Sequence, residues 1–101
     1  MNSEKGKLYF KIESGEVMKE LRIAAGHKTQ YAFEQAKGMT KGQYGRYERG
    51  ENVRRETLVD ILIYLNSDIG KYYTTVVAKV RKKIEEDFLR KQKEDNDTST
   101  S

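Results

Sequence analysis

The chain has 101 residues, the size of one domain, and hydrophobic and charged residues each make up 36% of it. That composition supports one small core and excludes a deep substrate cleft with a second layer of residues behind it. Because there is no cysteine and only one histidine, disulfides, thiol chemistry and histidine-based metal clusters are excluded, and we expect no cofactor and no metal.

Positive charge is concentrated in the middle of the chain. Twenty lysines and arginines against sixteen aspartates and glutamates give a net charge of +4, and residues 37–55 alone hold six basic and two acidic residues, which is also +4. Such clustering favours an anionic partner. No apolar run reaches the roughly 18 residues of a membrane span, and the first residues are too polar for a signal peptide, so we expect a cytoplasmic protein with no membrane partner.

The leader, residues 1–13, is polar with one apolar patch. In this patch Leu8, Phe10 and Ile12 alternate with other residues, a period of two that is typical of a short strand or an extended segment. A first helix is then predicted to begin at Ser14, which is a suitable N-cap.

Three shorter helices are predicted to follow. Thr29 can cap a second helix that ends at Gly38, and Thr40 forms a capping box with Gln43 that opens a third helix over residues 40–49. A fourth helix is predicted over residues 56–65, with Leu58, Ile61, Leu62 and Leu65 facing inward.

A longer amphipathic helix is predicted over residues 71–91. Its apolar residues recur every three or four positions, but Asp87 interrupts a strict heptad, which disfavours a long coiled coil. Residues 92–101 are polar and low in complexity, so a disordered tail is predicted there. The chain is therefore predicted to be all-α with five helices. The apolar stripe of the last helix consists of Tyr73, Val76, Val77, Val80, Ile84 and Phe88.

The second and third helices are short and closely connected, which is the shape of a helix-turn-helix. The segment QYGRYERG (residues 43–50), followed by ETLVDILIYL (residues 56–65), resembles the order of recognition helix, ERG, loop and TL-rich helix in the Cro/lambda-repressor type of helix-turn-helix, the XRE family. The resemblance extends over about residues 16–65. It implies a compact five-helix lambda-repressor-like DNA-binding domain over residues 14–70, followed by an extended C-terminal helix (71–91) and the tail.

The second helix departs from the family pattern, which has a glutamine, a small residue four positions later and a glycine four positions beyond that. Gln30 and Gly38 match, but Glu34 occupies the middle position and Lys37 stands where an apolar residue is expected. A second register makes Ala32 the small residue and lengthens the turn. Both registers leave the third helix unchanged.

The family resemblance implies that helix 40–49 lies in the major groove of double-stranded DNA. If Tyr44 and Tyr47 face the core, the other side chains face outward, where lysine and arginine can donate to guanine and glutamine can pair with adenine. Gly42 and Gly45, also predicted to face outward, would form a smooth surface close to the bases. The predicted base-contacting residues are Lys41, Gly42, Gln43 and Arg46.

Residues at the edges of this helix are predicted to contact DNA phosphates. Glu48 is not among them because a carboxylate repels phosphate, and the resemblance implies instead a structural ion pair between Glu48 and Arg22, late in the first helix. Gln30 is included because it matches the family's phosphate-contacting glutamine. The predicted phosphate-contacting residues are Gln30, Lys37, Thr40, Arg49, Arg54 and Arg55.

These features favour a nucleoid-associated, sequence-specific transcriptional regulator, most simply a repressor. No nucleophile with an adjacent base and no Gly-rich phosphate loop is evident, so no enzyme is expected. An open alternative is an antitoxin or protein-interaction module whose residues 70–101 bind a protein partner. Because one helix-turn-helix presents few base contacts, we expect a homodimer. The predicted dimerisation residues are Tyr73, Val77, Val80, Ile84 and Phe88.

Overall fold

The computed structural model describes residues 3–99, and this part of the chain forms five helices and no strand, which confirms the predicted all-α fold. The short second, third and fourth helices are bracketed by two long ones. The helices are α1 (Ser3–Ala24), α2 (Gln30–Lys37), α3 (Gln43–Glu48), α4 (Arg55–Tyr64) and α5 (Ile69–Ser99).

A single apolar core joins the five helices. The two long helices and α4 contribute buried residues at helical spacing, whereas α2 and α3 contribute Phe33 and Tyr44. The four residues predicted to face inward from the fourth helix are buried, three within α4 and Leu65 at its C-cap. The rings of Phe33 in α2 and Tyr44 in α3 are in contact, tilted by 44° with centroids 4.3 Å apart, and this contact holds the two short helices together. The largest fully buried side chains are Met18, Phe33, Tyr44, Ile61, Leu62 and Val76.

The ends of α2 are those predicted from the sequence. The Thr29 hydroxyl oxygen accepts a hydrogen bond from the Ala32 N–H (3.0 Å) and so satisfies a donor at the helix start. Gly38 ends the helix in the left-handed region (φ 81°), and its N–H donates to the Glu34 carbonyl (2.9 Å). The chain then turns directly towards α3.

The first part of α1 corrects the prediction for the leader. Residues 3–13 are helical rather than extended, and Ser14 lies inside α1, where its hydroxyl donates to the Lys11 carbonyl (3.1 Å) instead of capping the helix. Leu8, Phe10 and Ile12 are all exposed, so their alternation does not mark the buried face of a strand. Packing against a helix that is distant in sequence favours the helical conformation of this segment over the extended one.

That distant helix is α5, which runs antiparallel to α1. Three ion pairs establish the direction, since residue numbers rise along α1 as they fall along α5. They join Lys5 to Asp87 (3.0 Å), Glu13 to Lys83 (3.2 Å) and Glu20 to Lys79 (3.1 Å). We call residues 3–14 of α1 together with residues 79–99 of α5 the α1–α5 arm.

The α5 helix also differs from its prediction, in length and in rotation. It continues through residues 92–99, where a disordered tail was predicted; residues 100–101 lie outside the described residues. Tyr72 and Val76 are buried, whereas Tyr73 is exposed. The Tyr72 hydroxyl donates to the Ser14 carbonyl (3.1 Å), and its burial raises its pKa to about 12. This contact sets the inward face one residue earlier than the apolar pattern suggested.

Candidate nucleic-acid interface

The start of α3 lies three residues later than predicted. Thr40 and Gln43 form only half of a capping box, in which the Thr40 N–H donates to the Gln43 side-chain oxygen (3.2 Å). Gly42 is the N-cap residue of α3 and adopts a left-handed conformation (φ 86°) that favours glycine. Lys41 and Gly42 therefore lie in the turn before the helix rather than within it.

The outer side of α3 and this turn carries the predicted base-contacting residues. Lys41, Gly42 and Arg46 are exposed and Gln43 is half-buried, because Tyr44 occupies the core on the opposite side. The Lys41 ammonium lies 5.9 Å from the centre of the Tyr31 ring. The cations of Lys41 and Arg46 and the amide of Gln43 thus border a surface on which the backbone of Gly42 is exposed.

Gly45 does not belong to that outer surface, contrary to the prediction. It is buried, and a Cβ atom at this position would lie 2.7 Å from the Gln30 side-chain oxygen and 3.4 Å from the Arg49 guanidinium. Any larger residue at this position would have to displace the end of the Gln30 side chain, which approaches α3 closely. The smooth surface offered to a ligand is formed by Gly42 alone of the two glycines.

An ion pair beneath α3 connects it to α1. The Arg22 guanidinium donates to both carboxylate oxygens of Glu48 (2.7 and 3.3 Å) and to the His27 carbonyl (2.7 Å), and both charged side chains are about 95% buried. The Gln30 amide also donates to Glu48 (2.9 Å). Burial acts to raise the pKa of the Glu48 carboxyl, but these donors, with Tyr44, outweigh it and hold the pKa below its ordinary value.

The predicted phosphate-contacting residues separate into two groups. Lys37 forms an ion pair with Asp60 and lies 5.6 Å from the centre of the Tyr64 ring, so its aliphatic stem packs where an apolar residue was expected. Gln30 is engaged with Glu48. The remaining four lie exposed around α3 and at the start of α4: Thr40, Arg49, Arg54 and Arg55.

Glu34 is the residue of this region that the sequence did not assign to a role. Its side chain is buried, and its carboxylate accepts hydrogen bonds from the N–H groups of Gly42 (2.9 Å), Tyr44 (2.8 Å) and Gly45 (3.3 Å). Burial acts to raise its pKa, but the three donors outweigh this and lower it. The first register of α2 is therefore the one observed, while Ala32 is exposed. The sequence did carry one sign of this role, since Glu34 occupies the position at which the family pattern has a small residue.

The predicted dimerisation residues lie on α5, in part against the rest of the molecule. Tyr73, Val77 and Phe88 are exposed, whereas Val80 and Ile84 are half-buried against the rest of the molecule.

Among residues 3–99, no helix is long and apolar enough to span a membrane, and no group of three or more potential metal ligands is brought together.

The short α2 and α3 joined by a tight turn, with basic residues around the outer face of α3, define a helix-turn-helix DNA-binding protein. A family model described as helix-turn-helix matches residues 18–71, more than half of the chain. The chain belongs to this family, the Cro/lambda-repressor type, and is a DNA-binding regulator. No curated protein and no solved structure gave a match.

Proposed function

We propose that this chain is a sequence-specific transcriptional repressor that reads the major groove with α3 and the turn before it. The observation that carries the proposal is the outward placement of Lys41, in the turn before α3, and of Gln43 and Arg46 on α3 itself, which buried Tyr44 anchors. An α-helix with its side chains is about 10–12 Å in diameter, which fits a major groove about 12 Å wide. Arginine and lysine would select guanine, and glutamine adenine.

Phosphate contacts are assigned to the four exposed residues around α3: Thr40, Arg49, Arg54 and Arg55. Gln30 and Lys37 receive structural roles instead, because each is already engaged within the domain. Three neutralised phosphates per monomer, one for each arginine, would give a dimer a slope of log affinity against log salt of roughly −5. A flat salt dependence would contradict this assignment.

A homodimer through α5 is the second part of the proposal. Val77 and Phe88 are exposed apolar residues on one long helix, and pairing two copies would remove them from water and place two α3 helices on one duplex. Val77→Glu with Phe88→Glu should give monomers in sedimentation, whereas the control Ile63→Glu, at another exposed apolar position, should not. Wild-type monomers that form a complex with a different protein through residues 70–101 would favour the protein-interaction alternative.

Selection from a randomised duplex pool at about 150 mM salt tests the proposed reading of DNA. We expect an enriched inverted half-site, and we expect Arg46→Ala to relax one position of it, at a cost of about 1–3 kcal/mol for the lost base contact. The control Arg81→Ala removes an exposed arginine from α5 and should leave the selected site unchanged. A pool that shows no enrichment with the wild-type chain would contradict the proposal.

A further inference from the structure

The buried carboxylate of Glu34 has an unusual set of partners. Burying a carboxylate is costly unless charge or several hydrogen bonds compensate it. Within residues 3–99, no lysine or arginine forms an ion pair with Glu34, and all its donors are backbone N–H groups at the beginning of α3. A side chain of α2 thus supplies the acceptor for the first turn of α3.

This arrangement matters because α3 is too short to be stable as an isolated helix. The first N–H groups of any helix lack partners within the helix, and six residues form few internal hydrogen bonds. No side chain of the N-cap residue can help, since that residue is Gly42. Tyr44 anchors α3 from the core, and Glu34 restrains its starting end.

We propose that Glu34 is a positioning residue for DNA recognition, which fixes the start of α3 and thereby the direction in which Lys41 and Arg46 meet the bases. The role rests on the proposed DNA-binding function. Lys41 lies one residue before Gly42, whose N–H is held at 2.9 Å, and Arg46 one residue after Gly45, whose N–H is held at 3.3 Å. Releasing the carboxylate frees both ends of this stretch.

The charge of Glu34 adds a second effect. Because its carboxylate already occupies the N–H groups, a phosphate placed at the start of α3 would meet a negative charge instead of free donors. A depression of about 310 Å³ between α2 and α3 has Glu34 in its lining, together with the cations of Lys41 and Arg49. Glu34 therefore opposes binding of the DNA backbone at the start of α3 unless the cationic side chains are engaged as well. This effect lowers the affinity for nonspecific DNA and raises the specificity.

Two variants separate position from charge. Glu34→Gln keeps the side-chain length but removes the charge and turns an amide donor towards backbone donors. Glu34→Asp keeps the charge but is one methylene too short to reach all three N–H groups. The matched control is Glu13→Gln, which removes another buried carboxylate, the partner of Lys83 in the α1–α5 arm.

The test uses the full chain and the duplex that the wild-type chain enriches from a randomised pool. Affinities for this duplex and for a scrambled one are measured well below each variant's unfolding temperature. We expect the ratio of specific to nonspecific affinity to fall at least tenfold in both Glu34 variants and to stay within twofold in Glu13→Gln. Nonspecific affinity should rise in Glu34→Gln and stay unchanged in Glu34→Asp.

A purely structural role would lower the unfolding temperature and leave the ratio unchanged. A ratio within twofold of the wild-type value in either folded Glu34 variant would therefore overturn the proposal. If Glu34→Gln does not fold, Glu34→Asp alone decides by the same criterion; if neither folds, a structural role is sufficient and the proposal is also overturned. A wild-type chain that enriches no duplex would instead refute the proposed function on which this role depends.

Discussion

The helix-turn-helix core, residues 18–71, and the α1–α5 arm use charged residues in opposite ways. In the core, Arg22 and Glu48 are almost fully buried and each makes several hydrogen bonds. In the arm, Glu13 is buried, but its partner Lys83 remains 39% exposed to water. Removing one partner of a fully buried ion pair lowers the free energy of unfolding strongly, because the other charge stays buried without compensation. Removing a pair that is exposed to water lowers it little. The charged residues of the core therefore fix one arrangement of α1 against α3, whereas those of the arm only make the facing surfaces of α1 and α5 complementary.

The sharpest test of this contrast is Arg22→Ala. It would leave the Glu48 carboxylate buried without its cation, and we expect the free energy of unfolding to fall by about 3–5 kcal/mol in urea titrations. Its counterpart is Lys79→Ala, which removes the largely exposed pair between Lys79 of the arm and Glu20, and which should cost less than about 1 kcal/mol. Similar losses in the two variants would remove the distinction.

Two glycines of α1 give a second comparison, of smaller size. A Cβ on Gly15 would lie 2.2 Å from the Glu48 carbonyl oxygen, so Gly15→Ala forces α1 away from α3 and should destabilise by about 1–3 kcal/mol. A Cβ on Gly6 meets no atom within 4 Å, so Gly6→Ala should stabilise the helix by about 0.5–1 kcal/mol. Thermal unfolding of both proteins measures the difference. Destabilisation by Gly6→Ala would mean that the arm packs as tightly as the core.

Acid should weaken the core through its buried carboxyls, and this is the smallest effect of the three. A carboxyl whose pKa is lowered by folding, such as Glu34 or Glu48, contributes stability that is complete above its unfolded pKa and is lost as the pH falls through its folded pKa. The stability difference between wild type and Glu34→Gln should therefore be largest near neutral pH and shrink below about pH 4. Urea titrations across this range measure it; a difference that grows towards acid would contradict the assigned hydrogen bonds.

The core was largely predictable from sequence because its signals are local. Thr29 and Gly38 mark the ends of α2 through hydrogen bonds within a few residues, and the inward residues of α4 follow helical periodicity within ten residues. The expected pairing of Arg22 with Glu48 came from the family resemblance rather than from the residues themselves. The structure does bring these two side chains together.

Features that depend on distant partners were not predictable in this way. The helical start of α1 and the rotation of α5 both follow from contacts such as Tyr72 with Ser14, 58 residues apart. The pattern that suggested a strand cannot report such contacts. Gly45 and Glu34 were misjudged or left without a role for a similar reason, since both are explained by contacts between α2 and α3. Sequence indicates that a residue is out of pattern but not which group it meets.

Adding the enriched duplex to the isotopically labelled chain and following its backbone amide resonances tests the central claim most directly. If α3 reads the groove, the largest shifts should fall on residues 40–49 and on Arg54 and Arg55, while residues 79–95 of the arm change little. Shifts concentrated in the arm, with residues 40–49 unaffected, would contradict the account and assign DNA binding to a different surface.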